Sequence, residues 1–513
     1  MTINRKRALL SILPALALLF FCQSSAQAKV TLARIFSDGA VFQKDKPINV
    51  WGEALPGEVV TVDMAIGRAQ TVVDKSGKFL VTLPAMSFTE PLEMTITGQN
   101  KIVLKNIRLG QVFLVAGDGI MHASLQEEAA LEKKYGSGEL AEGNIEMPDG
   151  IRLYRQPIAL SRNPDTIGNT GDERTGTKGW VNINKNQGEA LKASAIGMIL
   201  ARELKRNLKE PIGIIQVTLP DTPLRSWISA QSLDSVPEAR SIAQKNMLDE
   251  DIYKRDWQEY INRTELEKLP SKNLSQMTSA VANGMLAPIT PYGLKAVIFA
   301  QGESDLAAPL QYKTLFPVFI KDLRRTFAQE QLPLYYVQLG AQPTETAEKE
   351  NASQSASIRH TQFKARIAPK SYLIVSSDIC HEDEKSGSIY MSAEDLSKRI
   401  ANTALATLFK QAKAYLYPIV EYIEVEGNAV KVVFKNAGRG LMAKGKPPVK
   451  GFALAGHDHQ FFEAEAKIEG NTVFLESKYV RQPKFVRYGW GNNPKLTLFS
   501  LDGLPAMPYT NDR

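Results

Sequence analysis

In the stretch Gln111-Val112-Phe113-Leu114-Val115-Ala116-Gly117-Asp118-Gly119, an unbroken apolar run ends in a polar turn with two glycines. An apolar run without polar alternation is typical of a strand that is buried on both faces, as in a parallel sheet. Similar runs recur further along the chain. They are Gly213–Val217, Ala296–Ala300, Leu334–Gln338 and Leu373–Ser376.

Two longer amphipathic segments lie between these runs. Residues 190–207 place Ile196, Leu200 and Leu204 four residues apart, and residues 393–410 repeat the pattern after a capping Ser392. This spacing predicts helices with one apolar face. Apolar strands that alternate with helices predict an α/β domain with a mainly parallel sheet, which we place at residues 109–412.

Both flanks of this domain have a different pattern. Residues 29–108 contain short strand-like runs between Gly, Asp, Pro and Ser turns, spaced by roughly 8–12 residues. This spacing predicts an N-terminal β-sandwich domain. From about residue 413 the chain returns to short strands, and residues 413–513 are predicted to form a C-terminal β domain.

The first 28 residues have the three parts of an export signal. Basic Arg5-Lys6-Arg7 precedes the apolar run Ala8–Cys22, and Ala26-Gln27-Ala28 provides a small-residue cleavage site. We expect cleavage near Ala28 and a periplasmic or secreted protein. No later run is long and apolar enough to predict a membrane span.

Charge and cysteine content exclude some classes of protein. The net charge is +7, to which the signal segment contributes Arg5, Lys6 and Arg7. This charge is too small to predict a nucleic-acid partner. Removal of the signal leaves Cys380 alone, so no internal disulfide is expected.

In an open α/β sheet, ligands bind beyond the carboxyl ends of the strands. Three predicted strands are followed there by polar turns, which are Gly117-Asp118-Gly119-Ile120-Met121, Leu219-Pro220-Asp221-Thr222-Pro223 and Gln301-Gly302-Glu303-Ser304-Asp305. We therefore expect the functional site where these three turns meet.

Motifs spread along nearly the whole mature chain carry a family resemblance. They include Phe36-Ser37-Asp38, Gly110-Gln111-Val112-Phe113-Leu114, Pro211-Ile212-Gly213-Ile214-Ile215, Asn283-Gly284-Met285-Leu286-Ala287-Pro288, Gln301-Gly302-Glu303-Ser304 and Val486-Arg487-Tyr488-Gly489-Trp490. In this order they resemble the bacterial sialate O-acetylesterases of the SGNH hydrolase superfamily. The resemblance implies an SGNH-like α/β domain between the two β domains and a carbohydrate ligand, with glycans containing sialic acid as the ancestral class.

The resemblance also implies ester hydrolysis. In that family a serine in a Gly-Gln-Ser-Asn-Met turn attacks an acetyl carbonyl, and a late histidine takes its proton. Here the Gln-Ser-Asn of that turn is Asp118-Gly119-Ile120, so glycine stands at the nucleophile position. Gly119 has no side chain with which to attack.

The other catalytic positions of the family pattern are also replaced. Pro220 and Asp221 stand where a Gly-Gly donates to the oxyanion, and Asp305 replaces an asparagine donor with an acceptor. Ile389 stands where the pattern has the catalytic histidine. No catalytic residue is retained at these positions, and the sequence predicts a pseudoenzyme, inactive or strongly impaired as an esterase.

One alternative keeps the enzyme active through relocated groups. Ser124 lies just beyond the nucleophile turn, and His381 follows a predicted strand end. A carbohydrate O-acetylesterase with a relocated catalytic pair would need these two side chains within hydrogen-bond reach of each other.

The replacements themselves predict an acidic pocket. Asp118, Gln301, Glu303 and Asp305 are the expected binding residues, with Asp221 nearby. Clustered carboxylates raise one another's pKa or attract a cation, and two of them can act as in a glycosidase. A cation, a hydroxyl-rich or cationic sugar, new acid–base chemistry and an unused pocket all stay open. No cofactor and no defined metal site are predicted, and the oligomeric state is not predicted.

Overall fold

The computed structural model describes residues 29–65, 67–136, 138–265, 268–343, 353–383, 385–445 and 447–512. The predicted signal segment 1–28 lies outside the described residues. The described strands are β1 (Thr31–Leu32), β2 (Val41–Gln43), β3 (Ile48–Glu53), β4 (Val59–Met64), β5 (Gly67–Val72), β6 (Lys78–Leu83), β7 (Leu92–Thr97), β8 (Lys101–Gly117), β9 (Ile151–Arg155), β10 (Val181–Asn182), β11 (Ile212–Thr218), β12 (Ala296–Ala300), β13 (Leu334–Val337), β14 (Ser371–Ile374), β15 (Cys380–Glu382), β16 (Ile389–Met391), β17 (Ile419–Glu426), β18 (Ala429–Lys435), β19 (Leu441–Ala443), β20 (Phe452–Ala455), β21 (Phe462–Glu463), β22 (Glu465–Glu469), β23 (Thr472–Glu476), β24 (Phe485–Tyr488), β25 (Leu498–Ser500) and β26 (Tyr509–Thr510). The described α-helices are α1 (Leu125–Tyr135), α2 (Gln187–Lys192), α3 (Ala195–Asn207), α4 (Ala230–Asp234), α5 (Pro237–Lys245), α6 (Glu250–Asn262), α7 (Lys272–Ser275), α8 (Pro309–Thr326), α9 (Gln354–Ala365) and α10 (Ala393–Phe409).

The central sheet has the strand order β10-β9-β11-β8-β12-β13-β14. The pairs from β9 to β14 are parallel, and β10 joins the edge antiparallel to β9. Helices pack on the faces of this sheet, and β domains flank it on both sides in sequence. The predicted α/β fold class with two flanking β regions is confirmed.

Alternate residues of the central strands enter two different hydrophobic cores. Val112 and Leu114 of β8 belong to a large core that also contains residues of both β regions. Phe113 and Val115 point to the opposite face and pack into a second core with helices α3 and α10. Because both faces are covered, an unbroken apolar run is the pattern that this strand needs.

Strand β8 has 17 residues and belongs to two parts of the fold. Its first half pairs antiparallel with β7, and its second half pairs parallel with β11 and β12. The predicted domain boundary between residues 108 and 109 falls inside this one strand.

The predicted helix over residues 190–207 is two helices in the structure. Helix α2 ends at Lys192, and Ser194 then begins α3 by accepting a hydrogen bond from the Gly197 N–H group at 3.2 Å. Ser194 is an N-cap because its hydroxyl replaces the missing intrahelical acceptor. The prediction of one continuous helix was therefore wrong at its N-terminal end, whereas α10 begins at Ala393 after the capping Ser392, as predicted.

The C-terminal region is built of antiparallel sheets. One has the order β17-β18-β23-β22, another β21-β20-β24-β26, and β19 pairs with β25. Among the described helices, none is long and apolar enough to cross a membrane.

Candidate functional site

The carboxyl ends of three parallel strands meet at Gly117. This residue is in register with Thr218 at the end of β11 and with Ala300 at the end of β12. A Cβ atom on Gly117 would lie 1.9 Å from the carbonyl oxygen of Ala300. Glycine is therefore needed here, since a side chain would collide with the backbone of the next strand.

Asp118 follows directly and is buried, with 4% of its surface exposed. Its carboxylate accepts a hydrogen bond from the Ser304 hydroxyl at 2.9 Å. Burial raises the pKa of the Asp118 carboxyl well above its usual range, and the nearby carboxylates of Glu303 and Asp305 raise it further. The proton is therefore held more tightly in the folded protein than in the unfolded chain.

Gly119 begins a single turn of 3₁₀ helix, Gly119–Met121. Its φ is +38°, and a Cβ atom built there would lie 2.6 Å from Oε2 of Glu303. The position that the family resemblance assigns to the nucleophile is thus a backbone turn without a side chain, and a carboxylate lies beside it.

Asp305 and Gln301 form a buried pair on the other side of the site. Asp305 Oδ2 accepts hydrogen bonds from the Gln301 side-chain amide and, at 2.8 Å, from the Leu224 N–H group. The Gln301 amide also donates to the carbonyl oxygen of Thr222 at 3.2 Å. Asp305 therefore accepts hydrogen bonds from the two donors nearest to it.

Pro220 and Asp221 lie in the loop after β11. Asp221 is exposed, with a φ of +59°, and Pro220 is half-buried. Thr222, just beyond them, is fixed by its hydroxyl bond to the Leu219 carbonyl and by the Trp227 indole N–H group at 3.0 Å. The loop is held by its neighbours, but Pro220 has no N–H group to offer a ligand.

Ile389 lies at the start of β16, paired with Glu382 of β15. Another residue of β16, Met391, lines a small cavity with Asp118 and Glu303. Ile389 does not line this cavity, whose volume of about 20 Å³ is room for about one water molecule.

The four predicted binding residues lie together at the carboxyl edge of the sheet. Asp118, Gln301 and Asp305 are buried, and Glu303 is exposed at the rim. No group of three His, Cys, Asp or Glu side chains is arranged to hold a metal ion within the described part of the chain. A role of these four residues in binding stays a prediction.

Ser124 and His381, the two side chains of a relocated catalytic pair, contact other residues instead of each other. Ser124 caps helix α1, where its Oγ donates to Glu127 Oε2 at 2.7 Å and accepts from the Glu127 N–H group at 3.2 Å. His381 is exposed in the β15–β16 pair, and its ring stacks on Tyr390 with centroids 6.3 Å apart. Over the described ranges no hydrogen bond joins Ser124 to His381.

Comparisons with known proteins agree with this architecture. A family profile described as carbohydrate esterase, sialic acid-specific acetylesterase, matches residues 180–406. The sialate O-acetylesterase of Homo sapiens is 24% identical over 402 residues, which cover 73% of this chain and 70% of that protein. The sialate O-acetylesterase of Mus musculus is 25% identical over 377 residues, or 66% of each chain.

The crystal structure of a carbohydrate acetylesterase from Xanthomonas citri is also similar. Its TM-score to this chain is 0.76 at 25% identity, and the match covers 94% of this chain and 100% of that one. Residues 180–406 therefore carry the sialic acid-specific acetylesterase domain of carbohydrate esterases, and the longer matches extend this similarity to sialate O-acetylesterases beyond that domain. The family predicted from the sequence motifs is confirmed.

The protein also has a cavity that the sequence did not reveal. Its volume is about 520 Å³, and His122, Gln156 and Thr218 are among the residues that line it. Gln156 follows β9 (Ile151–Arg155), a strand missed because Arg152 and Arg155 interrupt its apolar residues. The available signal was Ile151 and Tyr154, whose residue types favour strands.

Proposed function

We propose that this member of the sialate O-acetylesterase family binds a carbohydrate without hydrolysing its acetyl esters. The observation that carries the proposal is the turn at Gly119. It has no side-chain nucleophile, and the Glu303 carboxylate lies 2.6 Å from where a Cβ atom would be. Attack on an acyl carbonyl needs a nucleophile at that point.

The electrostatics of the site support the same conclusion. Hydrolysis of an ester passes through an oxyanion, which is stabilised by preorganised hydrogen-bond donors. Asp305 occupies the Leu224 N–H group and the Gln301 amide, and these donors are not free for an oxyanion. Carboxylates at Asp221 and Glu303 would further raise the energy of a negative charge.

The hydrogen bonds of Ser124 disfavour the alternative of an active esterase with a relocated catalytic pair. A nucleophilic serine donates its proton to a base, whereas the Ser124 hydroxyl donates to Glu127 in the cap of α1. His381 packs on Tyr390 instead of on that hydroxyl. Neither group is placed to act with the other.

The deciding experiment measures ester hydrolysis by residues 29–513. Substrates are p-nitrophenyl acetate and an O-acetylated sialic acid, and the Xanthomonas citri carbohydrate acetylesterase serves as positive control. We expect background rates for the wild type and for Gly119→Ser, because the base and the oxyanion donors are also replaced.

Two further variants distinguish a hidden enzyme from a contaminant. Turnover by the wild type that is lost in Ser124→Ala or His381→Ala would overturn the proposal and locate a relocated pair. Turnover that both variants keep, and that a second purification step removes, would identify a contaminating esterase.

Carbohydrate binding at the strand ends is tested through Glu303, the exposed member of the four predicted binding residues. Saturation-transfer NMR with O-acetylated sialic acid should give a signal that Glu303→Gln weakens and Lys435→Gln, remote on β18, leaves unchanged. Equal signals for both variants would remove Glu303 from the site.

We also propose that the protein acts outside the cytoplasm. Arg5-Lys6-Arg7, the apolar run Ala8–Cys22 and Ala26-Gln27-Ala28 support this proposal. Expression of the full chain in a bacterial host, fractionation and N-terminal mass spectrometry should give a periplasmic protein that begins at Lys29. An uncleaved cytoplasmic chain would contradict it.

A further inference from the structure

The larger cavity, of about 520 Å³, lies at the carboxyl edge of the parallel sheet. Gln156 follows the end of β9, and Thr218 ends β11, so the cavity opens where ligands of open α/β sheets bind. Its volume is within the range of small-molecule sites and suits one or two sugar rings.

This cavity is separate from the small acidic cavity at Asp118. The two have no lining residue in common. Ile120 lines the small cavity, and His122, two residues later, lines the large one. The short 3₁₀ turn that begins at Gly119 therefore lies between them, and loss of a nucleophile on one side leaves the other side intact.

Gln156 gives the large cavity an unused hydrogen-bond donor. Only 2% of the residue is exposed, and its Oε1 accepts from the Tyr154 hydroxyl at 3.0 Å. Its Nε2 is buried and has no hydrogen-bond partner among the described residues. A buried polar group without a partner is uncommon in native proteins, and a ligand oxygen would satisfy it.

The charged side chains of the lining carry a net positive charge, although Arg174 is paired with Asp172 at 2.9 Å. Arg155, Arg174, Lys192 and Lys268 face only two acidic lining residues, Glu127 and Glu189. Glu127 is engaged by the Ser124 cap and Glu189 by Arg155, at 3.1 Å.

Three of the basic groups keep unused capacity for an anion. Lys192 and Lys268 have no ion-pair partner in the part of the chain that the structure describes. Arg155 donates to the Lys192 carbonyl and to Glu189, but its buried Nε has no acceptor there. An incoming anion would therefore meet free positive charge and free donors together.

His122 does not add to this charge near neutral pH. Burial lowers the pKa of its imidazole, and its Nδ1 lies 3.2 Å from the Thr218 hydroxyl. The attraction for an anion comes from the arginine and lysine side chains.

We propose that this cavity is a binding site for an acidic sugar of one or two rings, such as a hexuronic acid. The carboxylate lies against Arg155 and Lys192, and a ring or hydroxyl oxygen accepts from Gln156 Nε2. The inference rests on the proposed function only in taking a carbohydrate as the ligand, and it does not depend on whether esters are hydrolysed.

The test is isothermal titration of residues 29–513 with D-glucuronate and D-galacturonate. D-Glucose controls for the sugar without its charge, and acetate controls for the charge without the sugar. We expect heat from at least one uronate, little from glucose and little from acetate. Both Gln156→Leu and Lys192→Glu should weaken the binding of that uronate about tenfold or more.

Lys435→Glu is the matched control, because it makes the same change of charge at an exposed position on β18. It should bind the uronate as the wild type does. Circular dichroism and the melting temperature verify that each variant is folded, and Gln156→Glu, of similar size, replaces Gln156→Leu if that variant unfolds.

Three outcomes would overturn the inference. They are no binding of either uronate, acetate binding as tight as uronate binding, and equal weakening by Lys435→Glu. Each can be told apart from failure of the proposed function, because ester turnover by the wild type would contradict that proposal and leave these titrations unchanged.

Discussion

Gly117 and Gly119, two residues apart in this site, differ in what an added side chain would contact. Gly117 would place a Cβ atom 1.9 Å from a backbone carbonyl, whereas Gly119 would place one 2.6 Å from the end of a flexible Glu303 side chain. A backbone atom in a sheet cannot move aside, but a side-chain terminus can. Gly117 is therefore required by the fold, and Gly119 is a position that tolerates substitution at a smaller cost.

This difference predicts unequal effects of the same substitution. Gly119→Ala should lower the free energy of unfolding by about 1–2 kcal/mol, from strain at a positive φ. Gly117→Ala should lower it by more than about 4 kcal/mol or prevent folding. Urea denaturation followed by circular dichroism measures both, and equal losses would contradict the assignment.

Asp118 predicts a dependence of stability on pH. Its pKa is raised in the folded protein, so the folded state binds more protons than the unfolded chain once the pH exceeds about 4. The contribution of Asp118 to stability is then lost as the pH rises from about 4 through its folded pKa.

Asp118→Asn removes the charge and keeps an oxygen that accepts from Ser304. We expect this variant to be more stable than the wild type by at least about 1 kcal/mol at pH 8 and to lose that advantage near pH 4. Asp221→Asn, at an exposed position where asparagine tolerates the positive φ, should change stability little. Melting curves at the two pH values test this, and a pH-independent difference would count against a raised pKa.

At the scale of elements, the buried face of α1 holds two carboxyl groups one turn apart. Glu132 accepts from the Ser392 hydroxyl at 2.7 Å, whereas one oxygen of Glu128 is buried without a partner in the described structure. Burial and the Glu132 charge raise the pKa of Glu128 to about 8. Near neutral pH α1 therefore packs against the body of the protein with a protonated side chain.

Glu128→Gln tests this assignment. Glu128 binds its proton more tightly when folded, so stability falls as the pH rises from about 4 to about 8. The glutamine variant should be more stable than the wild type by about 1–3 kcal/mol at pH 9 and show little difference at pH 4. Chemical denaturation at both pH values measures the change, and an advantage at pH 4 alone would refute it.

The elements also show what a sequence can predict. Strand β12 has the predicted bounds, Ala296–Ala300, because both of its faces are covered and every residue is apolar. Strand β9 was missed because Arg152 is buried in it, where its guanidinium donates to the Gly39 carbonyl at 2.8 Å. That acceptor is 113 residues away in the chain, and no local pattern could indicate it.

Some features of the candidate site could likewise be predicted from the sequence, and others could not. The meeting of the Asp118, Asp221 and Asp305 turns was predictable, because the carboxyl ends of parallel strands share one edge. The size of each cavity was not predictable, because it depends on side chains from distant elements. Met391 lines the small cavity near Asp118, and Arg174 and Lys268 line the larger cavity.

At the scale of the whole molecule, the N-terminal β region and the α/β region share one core. The Tyr292 hydroxyl donates to the Val41 carbonyl at 2.8 Å, and the Trp180 indole donates to the Ile35 carbonyl at 2.9 Å. Rings of Phe42 and Tyr292 stack with centroids 5.3 Å apart. The two regions are therefore expected to unfold together.

A fragment of residues 109–412 tests this expectation. It would lose the first half of β8 and expose the apolar surface that the N-terminal strands cover, so we expect it to be insoluble or to lack a cooperative transition. Residues 29–513 should melt without a separate N-terminal transition in calorimetry. A soluble fragment that melts cooperatively near the temperature of the longer chain would contradict a shared core.

The length of β8 restricts where residues can be inserted or deleted as the sequence evolves. Successive side chains of a strand point to opposite faces, so one inserted or deleted residue between Lys101 and Gly117 would exchange the residues of the two cores beyond that point. It would also shift Gly117 out of line with the ends of β11 and β12. Insertions and deletions that survive should therefore fall in the turns, and the number of residues across this strand should stay fixed even where their identities drift.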